Sequence, residues 1–177
     1  MQKETGTKIG ILQFAPQLGH IDANMNKIDN LLQDSSDADI WVLPELASSG
    51  YNFSSRGEAM KYSEEIKTSR FVDFLIKKAR QYNAWFVSGI NERDGDLLYN
   101  SAVLISPNGL EGLYRKLHLF NREKLFFEPG NTGLPIFETP YGVIGMLICF
   151  DWMYPEVWRI LSLKNVQLIC HPSNLVL

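Results

Sequence analysis

Short apolar runs alternate along the chain with amphipathic stretches. Lys8 to Phe14 is a compact apolar run bounded by Gly6 and Pro16, the pattern of a buried strand. From Asp22 onward Met25, Ile28, Leu31 and Leu32 recur at helical spacing, with Asp22 read as the N-cap. Asp39-Ile-Trp-Val-Leu-Pro44 reads as a second strand stopped by proline. Strand, helix and strand within about 40 residues predict a parallel βαβ unit. Ser48 to Thr68 is polar and reads as a connection. Phe71, Phe74, Leu75 and Ala79 predict a helix over 69–82, and Ala84 to Ile90 a third strand. Asp94-Gly95-Asp96 is a turn signal, so Leu97 to Ile105 returns as a hairpin partner, and Pro107-Asn108-Gly109 turns again into Leu110 to Tyr114. Lys116 to Gly133 is long, irregular and rich in aromatic and charged residues, as functional loops often are. Val143 to Ile148 is the most apolar strand, followed by a helix over 154–163 and a last strand from Gln167 to Cys170. The pattern predicts an α/β layered fold, helices outside a mixed sheet, in a single domain over residues 1–177.

Composition narrows the function classes. With 177 residues, 45% of them hydrophobic, the chain can bury a real core. Its 17 Lys plus Arg against 20 Asp plus Glu give a net charge of −3, and no basic block offers a footprint for nucleic acid. Two cysteines make neither a disulfide framework nor zinc-type pairs. The polar start, Met1 to Thr7, lacks the features of a secretory signal, and the longest apolar run, Tyr141 to Phe150, is about half of what spans a bilayer. The expectation is a cytoplasmic chain with no membrane or nucleic-acid partner.

The sequence contains no GxGxxG or GxxxxGK[ST] phosphate loop, no GxSxG elbow and no HExxH, and His20, His118 and His171 lie far apart. No metal is expected. Cys149 stands out because it ends the most apolar strand just before a helix, where backbone N–H groups and the helix dipole favour a nucleophilic thiol. It also fits a plain core cysteine. Cys170, next to His171, reads as core, since strand neighbours point to opposite faces. A cysteine nucleophile needs a base and an oxyanion donor. Glu45, just past the second strand, would lose solvation and gain basicity there, or else merely cap its loop. Lys116 enters the long loop, where a buried ammonium would neutralise an oxyanion and favour the thiolate. Equally, it fits a solvated strand end. All three sit at predicted strand ends, which parallel sheets bring to one face.

Three blocks carry a resemblance. Trp41-Val-Leu-Pro-Glu45 with Ser49-Gly-Tyr51, Tyr114-Arg-Lys116-Leu-His-Leu-Phe120, and Ile148-Cys149-Phe-Asp-Trp-Met-Tyr-Pro-Glu156 resemble, in order and spacing, the signature blocks of the nitrilase superfamily of carbon–nitrogen hydrolases, above all its amidase and carbamoyl-amide branches. True nitrilases usually carry Cys-Trp-Glu where this chain has Cys149-Phe150-Asp151. The resemblance implies an αββα sandwich of the nitrilase type. It implies Glu45 as general base, Lys116 as oxyanion stabiliser and Cys149 as nucleophile, with the Phe150 N–H sharing the oxyanion. Glu123 would help to position the substrate and Lys116, with Glu128 left exposed. It further implies a homodimer or larger assembly through the helix from Tyr154 to Leu163.

Chains of this family run about 80 to 100 residues beyond the segment matching His171-Pro-Ser-Asn174, so the resemblance implies that a C-terminal part is missing here. A sandwich cut there should expose a sheet edge and an apolar face. The implied activity is hydrolysis of a small linear amide or N-carbamoyl compound, with neither metal nor organic cofactor required. The competing readings are a non-catalytic scaffold subunit and an amide-group transferase. Tyr51, Phe120, Phe127 and Trp152 are candidate pocket walls, or core.

Overall fold

The apolar runs flanking the first amphipathic stretch pair in parallel. β1 (Ile9–Ile11) lies against β2 (Ile40–Val42), with α1 (Ile21–Gln33) crossing between them. The structure, a computed structural model, describes residues 6–174. α1 buries Ile28 and Leu32 from the expected stripe. Asp22 is not its N-cap: His20 occupies that position, and Asp22 lies in the first turn, where a carboxylate suits the positive helix end and pairs with Arg70.

The polar stretch is more than a connection. It holds α2 (Arg56–Lys61), whose N-cap Ser55 hydroxyl accepts the Glu58 N–H, and a 3-10 turn at Ile66–Thr68. α2 buries only Ala59, so no apolar period announces it. α3 (Arg70–Tyr82) starts at Ser69, whose hydroxyl accepts the Val72 N–H, and buries Phe71, Val72, Leu75 and Ala79.

β3 (Trp85–Asp94) extends the parallel pairing, then folds back as β4 (Leu97–Ser106) and β5 (Gly109–Arg115) in antiparallel register. These strands form one sheet in the order β1-β2-β3-β4-β5. α1 and α3 cover one face of it, where Phe86, Ile90 and Val103 pack against Ile28, Phe71 and Leu75.

The single mixed sheet expected from the residue pattern is in fact two. The segment after Lys116 carries the chain off the first sheet, and the apolar run that follows packs on that sheet's open face instead of joining its edge. β6 (Ile136–Thr139), β7 (Gly142–Met146) and β8 (Leu168–Cys170) form the second sheet in that order, with α4 (Pro155–Leu163) crossing between β7 and β8. Ile144 and Met146 share a core with Ile40, Val87, Ala102 and Leu104 of the first sheet. Gly112 of β5 makes the close approach possible, since a Cβ there would lie 2.6 Å from Cζ of Phe137 on β6. On the far side Leu161 of α4 sits over Gly145. The layers are therefore helix, sheet, sheet, helix, the sandwich that the resemblance implied. Among the described residues β1 and β8 end their sheets. Between them runs an open groove of about 840 Å³, where Ile11 is 75% exposed. No described helix is long and apolar enough to cross a membrane.

Candidate active site

Glu45 is placed by a tight turn seated on β3. Leu46 adopts a left-handed φ of 49°, and the turn docks backbone to backbone: Gly89 N–H donates to Pro44 O at 3.1 Å and Ala47 N–H to Gly89 O at 3.1 Å. A Cβ on Gly89 would lie 2.6 Å from Glu45 Cα and 2.7 Å from Pro44 O, both backbone atoms that cannot swing aside. Gly89→Ala should therefore displace Glu45 and destabilise the chain by about 1–3 kcal/mol, read as a lowered urea midpoint.

Lys116 continues the β5 ladder through Lys116 N–H to Asn100 O at 2.8 Å. Strand alternation turns Tyr114 and Lys116 inward and Arg115 to the other face. Glu123 sits in a 3-10 turn, Asn121–Leu125, where its Oε2 accepts the Phe120 N–H at 2.8 Å. These elements bring together three buried side chains. Lys116 Nζ donates to Glu45 Oε1 at 2.6 Å and to Glu123 Oε1 at 2.9 Å. Asn100 Nδ2 bridges the same two oxygens at 2.8 and 3.3 Å, and the Tyr51 hydroxyl donates to Glu123 Oε1 at 2.7 Å.

Cys149 follows an extended Leu147-Ile148 that runs on alongside the chain after β8. Leu147 N–H donates to Cys170 O and Cys149 N–H to Pro172 O. Its φ of 39° is unusual for a residue other than glycine. It opens a 3-10 turn, Cys149–Met153, and α4 begins only at Pro155, so the thiol does not sit at an α-helix start as the sequence suggested. The physical reason is that the turn first satisfies the Ile148 N–H with the Asp151 carboxylate. His171 Nε2 donates to the Cys149 carbonyl at 2.9 Å.

Glu45 and the Cys149 thiol meet on one residue. Asn174 N–H donates to Glu45 Oε2 at 3.1 Å, and Cys149 Sγ contacts Asn174 O at 3.7 Å. Phe150 N–H finds no acceptor among the described residues, and the Phe150 ring packs 5.0 Å from that of Phe120. Glu128 is half-buried, its N–H donating to Leu98 O.

The electrostatics follow from burial. Desolvation raises the Glu45 carboxyl to about 6, against the pull of Lys116. Burial works against the Lys116 ammonium, but Glu45 and Glu123 outweigh it and hold the proton more firmly than on an ordinary lysine. Burial, and then the Glu45 charge, push the Cys149 thiol up to about 11. Lys116 pulls the other way without prevailing, so the resting thiol keeps its proton. The thiolate-favouring effect expected of Lys116 is therefore outweighed. Cys170 lies in the inter-sheet core with its thiol pushed up to about 12 by burial.

A cleft of about 420 Å³ lined by Tyr51, Asn52, Phe120, Asn121 and Arg122 reaches Glu123. Phe127 borders it but is buried against Phe53, and Trp152 is half exposed and accepts the Trp158 indole N–H at its carbonyl. Among the described residues no three His, Cys, Asp or Glu side chains converge as a metal-binding group.

The model of the carbon–nitrogen hydrolase family matches residues 8–176. The chain belongs to the carbon–nitrogen hydrolase family. A nitrilase of Pyrococcus abyssi is 44% identical over 96% of this chain and 66% of its own length. An N-carbamoylputrescine amidase of Arabidopsis thaliana is 28% identical over 93% of this chain and 58% of its own. Among solved structures, Nit3 of Saccharomyces cerevisiae, a member of the nitrilase superfamily, superposes with a TM-score of 0.82 at 27% identity, covering 96% of this chain and 65% of that one. An N-terminal amidase superposes at 0.84 with 24% identity, over 94% of this chain and 47% of that one, a likeness of fold. The chain thus spans about two-thirds or less of the length of each of these proteins.

Two participants escaped the sequence reading. Asn100 had a signal: an Asn-Ser pair in the middle of an otherwise apolar strand is costly unless it is hydrogen-bonded. The Asn174 backbone had none, because main-chain groups carry no sequence signature.

Proposed function

We propose that this chain carries the reacting groups of a thiol hydrolase that cleaves a non-peptide C–N bond in a small linear amide or N-carbamoyl compound. The observation that carries the reading is a fully buried ammonium shared between Glu45 and Glu123, with Glu45 and Cys149 both held on Asn174. Relatives that include an N-carbamoylputrescine amidase support the substrate class.

Cys149 Sγ attacks the carbonyl carbon while Glu45 takes the thiol proton. A resting thiol near 11 beside a carboxyl near 6 makes this concerted transfer the workable route, since few free thiolates exist at neutral pH. Two of the three Lys116 N–H bonds go to Glu123 and Glu45, and the third, with the Phe150 N–H, meets the tetrahedral oxyanion. The oxyanion collapses, the C–N bond breaks, and Glu45 returns its proton to the leaving nitrogen. Water then attacks the thioester, giving its proton to Glu45. The hydroxyl oxygen stays on the acyl carbon, and the thiol re-forms with that proton. Tyr51 and Phe120 line the approach.

Ammonia release from a panel of linear amides and N-carbamoyl compounds tests the reading. Release lost in Cys149→Ala supports it. A folded chain that releases none supports the scaffold reading, and acyl transfer to an added amine in preference to water supports the transferase.

We also propose self-association through α4. Trp158, Ile160 and Leu163 on the helix and Trp152 and Met153 before it are large apolar side chains left 39–64% exposed. Ile160→Glu with Leu163→Glu should shift the chain to a smaller species in light scattering.

A further inference from the structure

The reaction above makes no use of Asp151, yet this carboxylate is fully buried beside the nucleophile. It accepts four hydrogen bonds. Oδ2 takes the Ile148 N–H at 3.0 Å and the Tyr114 hydroxyl at 2.8 Å. Oδ1 takes the His118 N–H at 3.0 Å and lies 2.8 Å from His118 Nδ1. The first contact belongs to the turn that carries Cys149. The other three come from residues two before and two after Lys116. The Tyr114 hydroxyl also accepts the Leu117 N–H at 3.3 Å, and the His118 ring stacks on Tyr154, with centroids 3.6 Å apart, at the far end of the same turn. One carboxylate therefore fastens the nucleophile turn to both sides of the lysine.

The arrangement has something to hold. Cys149 keeps a left-handed φ, which persists only where the surroundings over-determine it. The Cys149 N–H and carbonyl are fixed by Pro172 and His171, both on the β8 side. Nothing in those two bonds relates the thiol to Lys116. The Asp151 contacts do.

We infer that Asp151 is a positioning residue that sets the distance between Cys149 and the Lys116–Glu45 pair, acting through Tyr114 and His118. This rests on the reading of Glu45 as the base. A misplaced thiol still ionises in alkali but no longer passes its proton to Glu45, so the defect is confined to neutral pH.

The test is the rate of iodoacetamide labelling of Cys149 in this chain, mapped by peptide mass spectrometry at pH 7.5 and in alkali, with Cys170 as the internal marker of folding. The wild type should show Glu45-assisted labelling at the lower pH that Glu45→Gln removes. Asp151→Asn and His118→Ala should lower that rate at least tenfold and leave the alkaline rate within about twofold, and His118→Asn, which keeps a side-chain N–H toward Asp151, should recover most of it. A role in stability alone would leave the ratio of the two rates unchanged below the unfolding temperature. Unfolding would reveal itself as equal labelling of Cys149 and Cys170. If Asp151→Asn unfolds, His118→Ala and Tyr114→Phe decide. Folded variants with the wild-type ratio overturn the inference. A wild type without the assisted rate overturns the reading of Glu45, and this inference with it.

Discussion

Lys116→Met should destabilise the chain by about 3–5 kcal/mol near neutral pH, a large share of the ~5–15 kcal/mol that holds a domain together. The side chain is fully buried, and its ammonium lies within 2.9 Å of two carboxylates that have no other cation within salt-bridge reach among the described residues. Methionine fills similar volume, so the loss reports charge and not a cavity. The pH dependence separates this from ordinary packing damage. Glu45 has its folded-state pKa raised to about 6 from 4.5, so its contribution to stability is complete below about 4.5 and is lost as the pH rises through about 6. Removing Lys116 removes a pull that lowers this pKa, so the window should widen upward. Urea unfolding of the variant should show greater stability at pH 5.5 than at pH 8, by a wider margin than in the wild type. Equal losses at both pH values would mean that the pair is not charged as described.

Glu45→Gln should slow turnover by about 10²- to 10⁴-fold, the contribution of a placed general base. The amide keeps the shape and an oxygen for Lys116 and Asn100 but cannot take the thiol proton. The wild-type thiol at about 11 is ionised in only about one molecule in 10⁴ at pH 7; without the Glu45 charge it drops below that value, but the variant still depends on the thiolate minority that forms unassisted. Activity in the wild type should rise as the pH passes through about 6, because Glu45 must be ionised to serve as base. In the variant that rise should vanish and be replaced by a climb in alkali, below pH 11 because the Glu45 charge that helped raise the thiol is gone. A variant that keeps the inflection near 6 would assign the base to another group.

Much of the layout was legible because the burial is periodic. α3 shows its apolar stripe at Phe71, Leu75 and Ala79, and the hairpin of β3 and β4 is announced by Asp94-Gly95-Asp96. Glu45, Lys116, Cys149 and Glu123 could be singled out because strand ends and spaced blocks are local features. What escaped depends on partners distant in sequence. β6 has four residues and only one face against the core, too little to set a period. The division into two sheets rests on Ile144 and Met146 choosing the open face of the first sheet, which no local pattern encodes. The proton of Cys149 was misjudged for a related reason: its pKa depends on depth of burial and on Glu45, more than 100 residues away, as well as on the turn it opens.

Arg115 bears on how this site assembles at all. Its guanidinium forks onto Glu92, reaches Asp94 and Asn131 at 2.9 Å, and lies over the Tyr99 ring, 3.8 Å from its centroid. Sliding β5 back by one residue would set the Lys116 ammonium before Glu92 and Asp94, carry Arg115 to the place of Tyr114 on the inner face, and leave Leu117 before Glu45 and Glu123. Charge already opposes this alignment, because Glu45 and Glu123 would be buried without a cation. Shape rejects it too: a lysine cannot form the planar fork over Tyr99, and Tyr114 would be turned away from the inter-sheet core. The arginine thus proofreads strand alignment for the lysine beside it, and a mispaired chain is refused at the outer face of the sheet before any chemistry is attempted within.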